Sequence, residues 1–301
     1  MASLRLHCCH LVRIAAWLAL AAFATPAKAH PGVGIVRDSR GNIYYTDLKQ
    51  VWRIAPDGKK AVVVPFVHTH ELCLDSQDNL YGEHLWYEGE RTDKWGHYVW
   101  RMSPDGLVEK IIGPREGFLK DYSFIRDAAG NMYWADRPTS AGAPTRVRKR
   151  APDGRITEIA AAIFNNVRWM TVTGEGTMYL VDFRGGWSNH LIRVTLDGKV
   201  TTVTTELSES RFSIFGISDQ HAVMGLATDK NGNVYAAVAG NRVVKKVNPN
   251  GEVSVVLRSD AGWYPTGVLP CPGGEMWVLE GSVANTVRAR RVRVDGSSQV
   301  F

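Results

Sequence analysis

The densest group of reactive side chains falls in one short stretch. His68-Thr69-His70-Glu71 is followed twelve residues on by Glu83-His84, with Trp86 and Tyr87 just beyond. Imidazoles and carboxylates at this density suit proton transfer near neutral pH or the binding of a divalent metal. In extended chain the side chains alternate, so His68 and His70 share a face, Glu71 takes the other, and Glu83 and His84 part in the same way. His70 is therefore the candidate acid/base, with Glu71 or Glu83 as its carboxylate. His70 and His84 are the candidate metal ligands, a metal being allowed but not required. A solvated polar rim is the plainer reading of the same residues.

Arg168, after Asn165-Asn166 and before Trp169, is the next candidate, for binding and for catalysis. A guanidinium offers paired donors, and with Tyr122 it would clamp a carboxylate or phosphate, unless Asp121 or Asp182 claims it in a salt bridge. Trp187, Trp263 and Tyr264 are placed to stack on a ring or sugar, and His221 to overhang the same region. His30 with a free amine would chelate copper. Cys73 and Cys271 could pair, although Cys73 in its apolar run reads as a small buried hydrophobe. No nucleophile elbow, phosphate loop, Cys-x-x-Cys or His-Glu-x-x-His motif occurs, so no nucleophile triad is legible.

The elements that must position these residues repeat. Asp38-Ser-Arg-Gly-Asn-Ile-Tyr44 returns as Asp75 to Tyr81, Asp127 to Tyr133, Thr173 to Tyr179, Asp229 to Tyr235 and Cys271 to Trp277, with successive starts 37, 52, 46, 56 and 42 residues apart. After each copy comes a strand-like run closed by Asp57-Gly58, Asp105-Gly106, Asp153-Gly154, Asp197-Gly198, Asn250-Gly251 or Asp295-Gly296. Asp-Gly and Asn-Gly favour two-residue hairpin turns, and runs such as Val51-Trp-Arg-Ile alternate with period two. Four short antiparallel strands repeated about every 45 residues are the mark of propeller blades. The sequence thus predicts an all-β chain, a six-bladed β-propeller of four-stranded antiparallel blades, over approximately 30–67, 68–117, 118–164, 165–220, 221–261 and 262–301. Gln299 to Phe301 would supply a stub of outer strand to the last blade, or leave its edge partly open. Trp52, Trp100, Trp134 and Trp277 are expected between blades.

Gly34 to Asp47 with Val51 to Gly58, and Met224 to Tyr235, resemble the NHL repeat, and the resemblance runs through all six units. It extends to the propeller superfamily of SMP-30/gluconolactonase-like proteins, strictosidine synthase-like proteins and virginiamycin B lyase. It implies the six-bladed fold, and the gluconolactonase-like members imply a divalent metal at the channel mouth, held by Glu, Asn and Asp beside the innermost strands. The matching positions here are Val33, His70, Tyr122, Arg168, Met224 and Thr266. Only His70 is an ordinary ligand among them, so that set is not reproduced.

Residues 1–29 read as a secretory signal. Arg5 and Arg13 precede an apolar run from Ile14 to Phe23, too short to span a bilayer, and Ala27-Lys28-Ala29 is a small-x-small cleavage signal. Cleavage after Ala29 removes three basic residues and no acid, so the balance of 36 basic against 30 acidic residues, +6, becomes +3 over the remaining 272. That address, secreted or periplasmic, and that small charge exclude nucleic acid as the expected partner. No membrane span is expected after cleavage. The leading expectation is a small molecule or peptide bound at the channel mouth. A lactone or ester hydrolase, or a lyase, acting at the same face is the alternative. An interaction module for a cell-envelope protein is the third.

Overall fold

Each seven-residue phrase closes the same turn. In the computed structural model, Asp38 N–H donates to Asn42 O at 3.0 Å and Gly41 N–H returns to Asp38 O at 3.1 Å. The Asp38 carboxylate then accepts the Asn42 N–H at 2.8 Å, its side-chain amide at 2.7 Å and the Tyr44 hydroxyl at 3.2 Å. Asp75, Asp127 and Asp229 do the same with Asn79 and Tyr81, Asn131 and Tyr133, and Asn233 and Tyr235. In the fourth copy the Thr173 hydroxyl takes the Thr177 N–H, and in the sixth Trp277 donates to Glu275.

The structure describes residues 32–136, 140, 142–185, 188–208 and 221–301. The signal segment, His30 and Trp187 lie outside them. Blade one holds β1 (Ile35–Arg37), β2 (Ile43–Thr46), β3 (Gln50–Ile54) and β4 (Lys60–Pro65). Blade two holds β5 (Leu72–Leu74), β6 (Leu80–Tyr87), β7 (Trp95–Met102) and β8 (Val108–Glu116). Blade three holds β9 (Met132–Asp136), β10 (Thr145–Arg150) and β11 (Ile156–Ala162), its innermost place being marked by a single bridge between Arg126 and Met132. Blade four holds β12 (Val167–Val172), β13 (Met178–Phe183), β14 (Asn189–Val194) and β15 (Val200–Thr204). Blade five holds β16 (Leu226–Thr228), β17 (Val234–Val238), β18 (Val243–Val247) and β19 (Val253–Arg258), and blade six β20 (Trp263–Pro270), β21 (Met276–Ser282), β22 (Val287–Val292) and β23 (Ser298–Val300). Every blade is an antiparallel meander in sequence order. The fold is an all-β, six-bladed propeller.

The outer hairpins correct one expectation. Gly58 N–H donates to Ala55 O at 2.8 Å and Ala55 N–H to Lys59 O at 2.9 Å, with φ +85° at Gly58 and no positive φ at Asp57. This is a type I turn followed by a left-handed glycine, a three-residue loop rather than the two-residue one. Gly106, Gly154, Gly198, Gly251 and Gly296 repeat it. Proline and Asp suit the right-handed central positions, and only the glycine must cross to positive φ.

Inner strands β1, β5, β12, β16 and β20 pack around a central channel. A Cβ on Gly267 would lie 2.3 Å from Val33 O, on Gly225 2.6 Å from Thr266 O, and on Gly34 2.8 Å from the Leu72 nitrogen. Backbones therefore touch where these glycines stand, four residues before their repeat begins. Blades two and four carry Glu71 and Trp169 at that position, and both line the channel cavity of about 220 Å³.

Apolar clusters fill the seams. Tyr44, Val51, Leu80 and Trp100 join blades one and two, Tyr133 and Met178 join three and four, and Val181, Leu191 and Val234 join four and five. Between blades two and three Arg126 instead lies between the rings of Tyr81 and Tyr122, 4.9 and 5.6 Å from their centroids, and donates to the Tyr122 hydroxyl at 2.9 Å. Trp100 and Trp277 are buried as expected, whereas Trp52 and Trp134 are half-buried and donate to Asp47 and Asp136.

Blade six is completed by its own stub, β23, and Phe301 exchanges two backbone hydrogen bonds with Ala289. Blades one and six share no strand, so the ring closes through side chains: Ile35, Ile43, Tyr45 and Ile54 against Trp277, Leu279 and Phe301. Phe301 lies on Trp277 with centroids 5.2 Å apart. Phe301→Ala should lower unfolding free energy by about 1–2 kcal/mol, less than full burial would give because the ring is half-exposed, with the far-UV dichroism kept; an unchanged denaturation midpoint would show that the seam closes without it.

Candidate functional site

Blade two differs from its neighbours in one dimension. Its hairpin strands β6 and β7 run eight residues each, against four in β2, five in β9 and β17, and six in β13. The chain before β5 is fixed against this hairpin by its backbone. The Thr69 hydroxyl and the Trp100 indole donate to Glu83 O at 2.5 and 3.0 Å, and Thr46 donates to Thr69 O at 2.7 Å. Val33 and Gly34 N–H both donate to His70 O at 2.9 Å, and Leu85 N–H to His68 O at 3.0 Å.

Three side chains form a chain on this frame. Glu83 Oε1 accepts the His70 N–H at 2.7 Å and lies 3.2 Å from His70 Nδ1. His70 Nε2 lies 3.3 Å from His68 Nε2. Glu83 Oε2 is buried with no hydrogen-bond partner. His84 belongs elsewhere: its Nδ1 accepts the His68 N–H at 3.1 Å and its ring stacks on Tyr98 at 4.6 Å. The structure thus pairs His70 with His68, not with His84. Alternation along the strand was the signal for this pairing, but it does not reveal that the two rings meet.

Glu71 turns into the channel, where its carboxyl makes no hydrogen bond to a described residue. Burial pushes it up to about 7, the charge of Glu83 adding to the rise and His70 opposing it. Burial also lowers His68, helped by His70, and lowers His84, helped by Lys110. The other carboxylates at this end of the blades have structural partners. Asp47 accepts the Trp52 indole, Asp136 Trp134 and Arg148, Asp182 Arg184 and the Asn166 N–H, and Glu280 both Arg288 and Arg290.

The remaining candidates do not assemble beside it as a clamp. The Tyr122 hydroxyl accepts from the Arg126 guanidinium. Arg168 is half-buried at the start of blade four, and Asp182 is held by Arg184 rather than by Arg168. Trp263 lies under the Arg288 guanidinium, 4.0 Å from its ring centroid. Tyr264 is buried, its ring against Gly281, and belongs to the core. His221 is half-buried ahead of β16. Cys73 and Cys271 are free thiols, pushed up by burial to about 12 and 11, which leaves neither a thiolate near neutral pH.

On the channel axis the mouth is apolar. Trp169 crosses from blade four to pack with Val33, Met224, Ala239 and Tyr264 of blades one, five and six. Thr266 is buried and donates to Leu279 O. The divalent metal of gluconolactonase-like propellers does not fit these residues, since an indole and aliphatic groups stand where oxygen ligands would be needed. Among the described residues no three His, Cys, Asp or Glu side chains are grouped to hold an ion. Trp169 as a plug is a feature that sequence reasoning missed, for it reads there only as the neighbour of Arg168.

These features define a class: six-bladed propellers, here with an apolar axis and a polar site displaced over one blade. Its fold is that of gluconolactonase-like propellers. A gluconolactonase from Xanthomonas campestris is similar over 83% of this chain and 83% of its own, at 13% identity and a TM-score of 0.56. The calcium-binding protein regucalcin from Agrobacterium tumefaciens is similar over 83% and 81%, at 15% identity and 0.52, and a streptogramin B lyase over 89% and 82%, at 14% and 0.50. No protein-family profile and no curated protein matches the sequence. At these identities the likeness establishes the fold and leaves the activity open.

The Glu71 carboxyl titrates higher in the folded chain than its ordinary value of 4.5. The folded state therefore binds the proton more tightly, and stability falls as pH rises from about 4.5 to 7 and is level above that. Glu71→Gln, compared with the parent by denaturant titration in a chelating buffer, should be more stable at pH 8 by about 3 kcal/mol and nearly equal at pH 4.5. Parallel pH profiles would show that Glu71 is not held protonated.

Proposed function

We propose that this chain is an exported propeller that binds a small molecule at the channel mouth, off axis over blade two, and moves a proton on it. The observation that carries this reading is the meeting of His68 and His70, in the chain that enters β5, with Glu83 of β6 in the same blade, next to Glu71, which lines the channel cavity. A carboxylate fixed against an imidazole orients its ring and steadies the imidazolium, which suits general acid/base chemistry. The channel cavity that Glu71 lines, beside this group, is smaller than the roughly 300–1,000 Å³ of drug-sized sites, which favours a small ligand over a peptide. The raised hairpin adds exposed Tyr87, with exposed Phe118 lying against Trp95, beside this site.

The reaction class this supports is hydrolysis of a lactone or ester, or a lyase reaction, in which one group removes a proton as a bond breaks. A gluconolactonase and a streptogramin B lyase share the fold, which suggests the panel to test. Plain binding without turnover is the second reading, favoured by the absence of a nucleophile among the described residues of the site.

A panel of lactones and esters, with thermal-shift screening alongside, tests both. Turnover should fall at least a hundredfold in His70→Ala and Glu83→Gln, while Trp263→Ala should match the parent. Ligand-induced stabilisation without turnover would leave binding alone. Stabilisation by an anionic ligand that is lost in Arg168→Ala would move the site to blade four. Export is tested separately: protein secreted by the expressing cells should begin at His30.

A further inference from the structure

The His68–His70 pair carries more than the Glu83 contact explains. Both Nε2 atoms converge at 3.3 Å, from residues two apart on one face of an extended chain. Two metal–imidazole bonds of roughly 2.0–2.1 Å, set near the tetrahedral angle, span about 3.3 Å between nitrogens. At His70 the opposite ring nitrogen faces Glu83 Oε1 at 3.2 Å, and that oxygen is held by the His70 N–H at 2.7 Å. A ligating imidazole is ordinarily backed in this way by a carboxylate, which fixes its tautomer and strengthens it as a donor. Glu83 Oε2, buried without a hydrogen-bond partner, points to a carboxylate whose local charge lacks its full counterpart.

We propose that His68 and His70 chelate a first-row divalent transition-metal ion through their Nε2 atoms, with Glu83 as the carboxylate behind His70. This site is distinct in place and chemistry from an oxygen-ligated ion on the channel axis, which Trp169 and Met224 exclude. Imidazole donors select zinc, cobalt, nickel or copper over calcium and magnesium. Two protein ligands leave the rest of the coordination sphere to water or to a bidentate ligand of the blade-two site. With the ion bound His70 is no longer the acid/base, a role that belongs to the metal-free chain.

The test uses untagged full-length protein stripped with chelator and titrated with zinc by calorimetry, and with cobalt by visible absorption. One ion per chain is expected, with a visible cobalt band and a rise in melting temperature on zinc addition. His68→Ala and His70→Ala should each weaken zinc binding at least tenfold. Glu83→Gln should weaken it about ten- to a hundredfold, and His84→Ala should leave it within twofold. Calcium should compete at no concentration up to a thousandfold excess. Circular dichroism of each variant separates lost binding from lost folding, and His68→Ala, which leaves the Glu83–His70 contact in place, is the decisive one. Absent zinc binding in the parent, or binding unchanged in a folded His68→Ala, overturns the proposal. Binding is read without any substrate, so its failure leaves the acid/base reading standing, and failure of turnover leaves this one.

Discussion

The turn-locking carboxylate is the constraint on which the rest of this propeller depends. Asp38, Asp75, Asp127 and Asp229 each accept a backbone N–H, an Asn amide and a Tyr hydroxyl within one seven-residue phrase. Burial works against the charge at Asp75 and Asp229, yet the hydrogen bonds from their Asn and Tyr partners outweigh it and hold both carboxyls below their usual range. The lock sets the register of the first two strands of a blade, and a two-residue period means that register decides which side chains face each seam. Where the phrase departs from type, another polar group takes over: Thr173 in blade four, Glu275 in blade six. In blade two Asp78 replaces the usual glycine at φ +61°, and its carboxylate takes the Ser39 N–H of blade one.

From that register follows the position of the chemistry. Gly34, Gly225 and Gly267 let inner strands touch, which narrows the ring on the side of blades one, five and six. Glu71 and Trp169, at the same repeat position, cannot pack that way and project into the space. One is polar and the other apolar, so the mouth divides into an aromatic plug on the axis and a titratable patch over blade two. The seam between blades two and three is correspondingly polar, with Arg126 held between two tyrosine rings where other seams carry aliphatic groups.

Much of this was legible in the residues. The repeats announced six blades, and the glycines of Asp57-Gly58 and its kin announced turns, although the dipeptide does not tell a two-residue loop from a type I turn with a left-handed glycine. That choice lies in the residues before it, since Pro56 presets the right-handed first position. Blade three departs from four full strands because its innermost segment pairs only through the Arg126–Met132 bridge and the Tyr133 N–H on Ile125 O, too briefly to form one, a matter of local geometry with no sequence mark. Of the site, alternation placed His68 with His70 and set Glu71 apart. It could not show that Tyr122 meets Arg126 four residues on, that His84 stacks on its cross-strand partner Tyr98, or that Tyr264 is core, because these depend on local register and, for Tyr264, on packing against other blades.

Displacement of the polar site from the axis has a physical rationale of its own. On the axis of a six-bladed ring every inner strand contributes equally, and an ion there needs oxygen ligands from several blades at once. Over a single blade the needed side chains come from one strand, β6, and the segment hydrogen-bonded to it ahead of β5, so one set of backbone bonds fixes their separations. His68, His70 and Glu83 owe their spacing to the bonds that tie Thr69 to Glu83 O and Leu85 to His68 O, and not to how six blades happen to meet. With the polar groups gathered over one blade, Val33 and Met224 at the axis are free to pack with Trp169 in the apolar plug.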